Sequence, residues 1–197
     1  MARPNVEVER RNQILKATST VIAVKGIRAL RISDVADETG VSPGIIHYYF
    51  DNKDALIKNA FERNFERSLE RRSAILHSEA PAKDKLLDLI DAYLPGDEET
   101  IEAWHVWAEL WVEGLHDPEL QKLNEQAYGQ WRQIVASILT QGQQEGSIKR
   151  DGDPTMLANL LASSLDGLAL QVLVSSYELT LDAMREAGHK FVELVSV

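Results

Sequence analysis

Cysteine is missing from all 197 residues, which excludes disulfides, thiolate catalysis and any zinc site built on sulfur. The opening MARPNVEVERRN lacks the apolar core of a signal peptide, and no apolar run approaches the roughly 18 residues of a membrane span. A soluble cytoplasmic chain with no membrane partner is therefore expected. There is no Walker sequence, no GxGxxG, no GxSxG elbow and no HExxH. Nothing points to a bound cofactor or to catalysis. Strand-like alternation of useful length and internal repeats are also lacking.

Charge of one sign is scarce in one half only. Residues 1–74 hold 13 Lys+Arg against 10 Asp+Glu, a balance of +3, whereas residues 75–197 carry −13 of the net −10. The front can approach a polyanion, and the back suits neutral or cationic partners.

Helical periodicity fills what remains, and an all-α fold follows. A first helix runs from about Val8 to Lys25, with Ile14, Ala17, Val21 and Val24 on one stripe and Gly26 as its stop. A short helix is expected near Ser33–Thr39 and a long charged one from Asn52 to about Leu76. In the latter, Glu62, Glu66 and Glu70 stand among Arg63, Arg67, Arg71 and Arg72, the pattern of a solvated face. Further helices fit 82–94, 97–115, 118–144, 154–176 and 179–195, separated by Pro95-Gly96, Asp117-Pro118, Glu145-Gly146 and Asp153-Pro154.

Two short helices joined at ETGVS have the pattern of a helix-turn-helix, whose second helix enters the major groove. Val35 and Ala36 face inward, Gly40 supplies a positive φ, Val41 plugs the core, Ser42 caps the second helix and Pro43 takes its first position. Ile46 and Phe50 turn in, leaving Gly44, Ile45, His47 and Tyr48 outward. Gly44 allows close backbone approach, Ile45 fits a thymine methyl and His47 a base edge. Tyr49 and Lys53 are candidates for phosphate contact, which sets register without reading sequence.

The stretch GIRALRISDVADETGVSPGIIHYYFDNKDALI, residues 26–57, resembles the DNA-binding region of the TetR family of bacterial transcriptional regulators. The resemblance implies an N-terminal three-helix helix-turn-helix domain over residues 1–53 and an effector-binding and dimerisation domain over 54–197. It also implies a homodimer that represses genes at a palindromic operator and leaves double-stranded DNA when a small molecule binds. Arg31 stands where the family often has a capping threonine, so Ser33 is expected to cap and Arg31 to contact phosphate, with Ser33 and Ser42 added to the DNA-facing set. EAWHVWAELWVEGLHDPELQKL and LASSLDGLALQVLVS are similar to the C-terminal domain of the BetI-like branch, whose namesake responds to choline. That similarity implies a cationic amine, choline or a polyamine, as effector.

All four tryptophans fall between residues 104 and 131. Trp104, Trp107 and Trp111 share a helix face with Ala108 and Leu115, while Glu102, His105, Glu109 and Glu113 lie to another side; Tyr128 and Trp131 pair on the next helix. Indoles beside carboxylates suit an organic cation, and an aromatic core is the alternative. Asp166, alone among apolar residues, pairs with a ligand cation or caps a hydrogen-bond network. The segment 156–176 is apolar on nearly every side; by family likeness it pairs, with Leu181, Met184, Phe191 and Leu194 of the last helix, across a twofold axis. An all-α enzyme or metal protein using His105 and Glu109, with His116, is the competing reading, although this carboxylate flank faces outward on the projection.

Overall fold

In the computed structural model, residues 3–197 are described, with side chains from Val6 onward. The described residues form nine helices: α1 (Arg3–Ala29), α2 (Ile32–Thr39), α3 (Pro43–Tyr49), α4 (Lys53–Leu76), α5 (Ala82–Asp91), α6 (Glu98–Gly114), α7 (Pro118–Glu145), α8 (Pro154–Leu173) and α9 (Leu181–Val195). Extended pairing among them is limited to one antiparallel bridge between Ile148 and Ser196. The fold is all-α.

Side-chain caps explain most of the helix starts. Asn52 Oδ1 accepts from the Ala55 N–H at 2.8 Å, Asp97 Oδ1 from Thr100 at 2.7 Å, Asp117 Oδ1 from Glu119 at 2.8 Å, Asp153 from Met156 at 3.1 Å and Thr180 from Ala183 at 3.2 Å. Each bond satisfies an amide that the helix itself leaves without a partner, and stabilises by about 0.5–2 kcal/mol. The expected Ser33 cap is not formed. Helix α2 begins one residue earlier with Arg31 in extended backbone at the N-cap, and Asp34 reaches back to accept from the Arg31 N–H at 3.0 Å. Ser42 holds the N-cap of α3 without a side-chain hydrogen bond, ahead of Pro43.

The residues pack as two compact units. One contains the chain up to Arg67 together with Glu102–Asn124. Its core gathers Ile14, Leu15 and Ile22 of α1, Val35 and Ala36 of α2, Ile46 of α3 with Phe50, Leu56, Ala60 and Phe61 of α4, and Val106 and Leu110 of α6. Val24 does not join that stripe and is 77% exposed. The buried face runs through Leu15 and Ile22, and a helix of 3.6 residues per turn carries Val24 off its other edge. Helix α1 bends at Gly26 (φ 77°) rather than stopping there.

The other unit comprises Ser68–Ile101 and Glu125–Val197. Here α9 packs on α5 and α8, around Leu86, Leu89, Ile90, Trp131, Leu161, Leu165 and Met184. Gly188 makes the close approach possible, because a Cβ there would lie 2.6 Å from Ile90 Cγ2. Helix α8 corrects the sequence reading in one respect: it is long and apolar enough, by length and composition, to cross a membrane. Asn159, Ser163, Ser164 and Asp166 interrupt the run of letters without outweighing its leucines. One face, Ala158, Leu161, Ala162, Leu165 and Ala169, is buried within the unit, while Met156 and Leu160 stay exposed. Met184 is fully buried against its own unit and Leu194 is exposed.

Candidate functional site

The helix-turn-helix is built from the bottom of the first unit's core. Gly40 sits in the left-handed region (φ 68°), where its missing Cβ costs nothing, and the Val41 N–H returns to the Ala36 carbonyl at 3.0 Å. Val41 is half-buried against the core, and Ile46 and Phe50 are buried. These anchors fix the rotation of α3. Gly44, Ile45, His47 and Tyr48 are thereby left on its outer side, with Ser42 and Pro43 exposed at its start. Tyr48 is 75% exposed and meets Tyr49 edge to face, with centroids 5.1 Å apart. Arg31 and Ser33 are exposed and Tyr49 and Lys53 half-buried. The ten residues share the α2–α3 surface and the first turn of α4. Behind them, the Lys25 ammonium at 2.9 Å, then the Arg31 N–H, hold the Asp34 carboxyl below the ordinary carboxylate value.

Helix α6 lies in the same unit from Glu102 onward and presents its carboxylates to α1. Glu102 accepts from Thr20 Oγ1 at 3.0 Å, Glu109 from the Ile27 N–H at 2.8 Å and Glu113 from Arg28 Nε at 2.6 Å. Thr20 to Ile27 and Glu102 to Glu109 are the same seven-residue step, so the two helices run side by side in register. The outward placement of this acidic flank on a helical projection is thereby corrected. Its partners are a backbone amide, a hydroxyl and an arginine that no projection of α6 alone reveals. Trp104 and Trp107 meet Trp111 at 6.1 and 6.4 Å, Phe65 meets Trp107 at 6.3 Å, and Trp111 Nε1 donates to Asn124 at 3.0 Å. His105 is half-buried on the same helix. Leu115 lies beyond the end of α6 and is 72% exposed.

The second unit gathers a different set. Asp166 of α8 accepts from the Tyr93 hydroxyl at 2.7 Å and from the Tyr128 hydroxyl. Tyr93 stacks on Trp131 with centroids 5.3 Å apart and planes 6° from parallel. Over both rings lies the Arg72 guanidinium, 5.1 Å from the Tyr93 centroid and 5.2 Å from that of Trp131. Burial raises the Asp166 carboxyl above its ordinary value against the lowering effect of the two tyrosines. Burial likewise pushes up both phenols and draws the Arg72 guanidinium down to about 10, still cationic at neutral pH. The cluster is a carboxylate held by two hydroxyls beside a parallel aromatic pair.

Two family models match the chain. One, described as bacterial regulatory proteins of the tetR family, covers residues 14–60, and the other, the C-terminal domain of BetI-type transcriptional repressors, covers residues 82–196. The chain belongs to the TetR family. A transcriptional regulator from Saccharomonospora viridis, crystallised in complex with choline, superposes with a TM-score of 0.90 at 34% identity, over 96% of this chain and 99% of that one. A TetR-family regulator from Rhodococcus sp. gives 0.86 at 29% identity, over 96% and 100%. The BetI regulator of Cronobacter sakazakii is 26% identical over 98% of this chain and 93% of its own length. As a TetR-family protein the chain is a ligand-responsive, DNA-binding transcriptional regulator and not an enzyme. The competing reading built on His105 and Glu109 falls accordingly: Glu109 is engaged by the Ile27 amide, and no three potential ligands gather as a metal site among the described residues.

Of the residues nominated for ligand binding, Trp104, His105, Trp107, Glu109 and Trp111 are on α6 in the first unit, whereas Tyr128, Trp131 and Asp166 are brought together in the second. Tyr93 and Arg72 complete the second cluster, and sequence reasoning nominates neither. Tyr93 sits in the turn after α5, which ends at Asp91 rather than continuing to 94 as the periodicity suggests. Arg72 is 3% exposed on a helix whose charge spacing reads as solvated. An arginine one residue out of step with the other alternating pairs is the sole trace in the sequence.

Proposed function

We propose that the chain is a homodimeric repressor, with residues 1–53 reading a palindromic operator and residues 54–197 dimerising and binding an organic cation, in the bacterial cytoplasm. The observation that carries the effector class is Asp166, a largely buried carboxylate held by Tyr93 and Tyr128 next to the stacked Tyr93–Trp131 pair. A cation over such rings gains roughly 0.5–2 kcal/mol per ring, and a carboxylate adds the charge partner. The choline bound to the S. viridis relative belongs to this chemical class. Arg31, Ser33, Ser42, Pro43, Gly44, Ile45, His47, Tyr48, Tyr49 and Lys53 form the DNA-facing set of this reading, and their shared exposed surface supports it. Trp104, His105, Trp107, Glu109 and Trp111 of α6 stay in it as the other candidates for cation binding, supported by the contacts of Trp104 and Trp107 with Trp111. Dimerisation draws support from the apolar side chains that α8 and α9 leave exposed, Met156, Leu160 and Leu194. As a dimer, the protein would read two half-sites about 34 Å apart on B-DNA. Switching occupancy from 1:99 to 99:1 requires roughly 5.5 kcal/mol of preference by the effector for one state.

Fluorescence anisotropy with duplex DNA from upstream of the protein's own gene tests the whole reading. Specific binding over a random duplex at moderate salt, released by choline, betaine aldehyde or spermidine and untouched by a neutral hydrophobic compound, is expected. Specific binding that no cation releases would remove the effector class and leave the repressor. No preference over random DNA would sink the DNA-reading assignment.

A further inference from the structure

The aromatic faces that suit an organic cation in the second unit are already covered by the chain's own guanidinium groups. Arg132 lies 5.1 Å over the Tyr128 ring, and Arg72 covers Tyr93 and Trp131 together. Arg132 is half-buried and ion-paired to Glu125 at 3.0 Å, an ordinary surface arrangement. Arg72 differs on every count. It is 3% exposed, it makes no ion pair among the described residues, its NH1 is spent on the Ser68 carbonyl and hydroxyl of its own helix, and its Nε has no hydrogen-bond partner. The carboxylate of the same cluster, Asp166, is instead occupied by two tyrosine hydroxyls. A buried cation and a buried anion thus share Tyr93 as a neighbour without pairing. Burying a guanidinium is costly unless its donors are all met, and here one is not.

We infer that Arg72 is the resident occupant of the organic-cation subsite formed by Tyr93, Trp131 and Asp166, and that a quaternary ammonium effector binds by displacing it. This rests on the effector reading above and adds the group that the effector must outcompete. A quaternary ammonium carries no N–H, so it covers the same rings without leaving a donor unsatisfied, and it brings its charge to Asp166. A primary amine or polyamine must place its N–H donors on the lone pairs that the two tyrosine hydroxyls leave on the carboxylate. The displaced side chain belongs to α4, whose earlier residues Leu56, Ile57, Ala60 and Phe61 share a core with Ile46 and Phe50. Arg72 is therefore both the selectivity element and the part of the site that feels occupancy.

Isothermal titration of the full-length protein with tetramethylammonium chloride, and then with choline chloride, decides the matter on three proteins: wild type, Arg72→Met and, as a separate control, Asp166→Asn. Arg72→Met is expected to bind tetramethylammonium at least tenfold more tightly than wild type, and to lose most of the cation-induced release of operator DNA. Asp166→Asn is expected to bind at least tenfold more weakly. Should Arg72→Met fail to fold, judged by its helical circular dichroism, Arg72→Gln keeps a polar side chain of similar reach and is expected to show the same gain. If wild type binds the cation and the folded Arg72 variant binds it no better, displacement is overturned and the effector site stands. If no variant binds either cation, the effector reading is overturned together with the displacement.

Discussion

Asp166 illustrates how a single side chain can work against the fold that contains it. Burial raises its carboxyl above the ordinary carboxylate value, so the folded chain takes up a proton more readily than the unfolded one. Stability therefore falls as pH rises from about 4 through the raised value. Asp166→Asn is expected to melt at a higher temperature than wild type at pH 7 and to lose that advantage below about pH 4, in thermal melts across that range. A lower melting temperature at pH 7 would mean that the two tyrosine hydroxyls more than offset the burial. Asp166 is legible as a lone carboxylate in an apolar run, although the sequence leaves its partner open. Arg72 is not legible, because periodic acidic and basic letters look alike whether a helix face is wet or packed. Its burial follows from neighbours distant in the chain, Tyr93 and Trp131.

Among the elements, those bounded by turn chemistry are readable to within a few residues. Pro118, Pro154 and the Asp117 and Asp153 ahead of them mark α7 and α8 because proline is tolerated in the first turn and the preceding carboxylate meets exposed amides. Faces are harder than limits. Periodicity assigns Val24 and Leu115 to apolar stripes they do not join, the first because the stripe drifts and the second because α6 ends at Gly114. The acidic flank of α6 reads as solvated and instead holds α1. The contact between α5 and α9 gives a direct test of packing. Gly188→Val would drive a branched side chain into Ile90 and Leu165, and unfolding in urea should show a loss of about 1–3 kcal/mol. A neutral result would mean that the two helices separate without penalty.

For the whole molecule, the uneven charge is the feature that the sequence displays most openly. A balance of +3 in residues 1–74 against −13 in the remainder confines the basic excess to the first part of the sequence, and the acidic remainder opposes non-specific coating of DNA. Dimerisation lies beyond a single sequence except by likeness, since an apolar helix buried by its own chain and one buried by a second copy spell the same pattern. Leu160, 53% exposed on α8, separates the two. If the protein is the homodimer proposed above, Leu160→Asp is expected to shift it to monomer in sedimentation velocity and to weaken operator binding at least tenfold, while leaving helical content unchanged. A dimer that survives the substitution would place the twofold contact elsewhere.

The bond from the Ile27 amide to Glu109 gives the chain an isotopic gauge of its own. Ile27 lies just past the bend at Gly26, where the regular ladder of α1 has lapsed, and its proton is sheltered by a carboxylate 82 positions away. Exchange of that single amide with deuterated water therefore proceeds only when α6 lifts from α1, and its rate counts those openings long before either helix unravels.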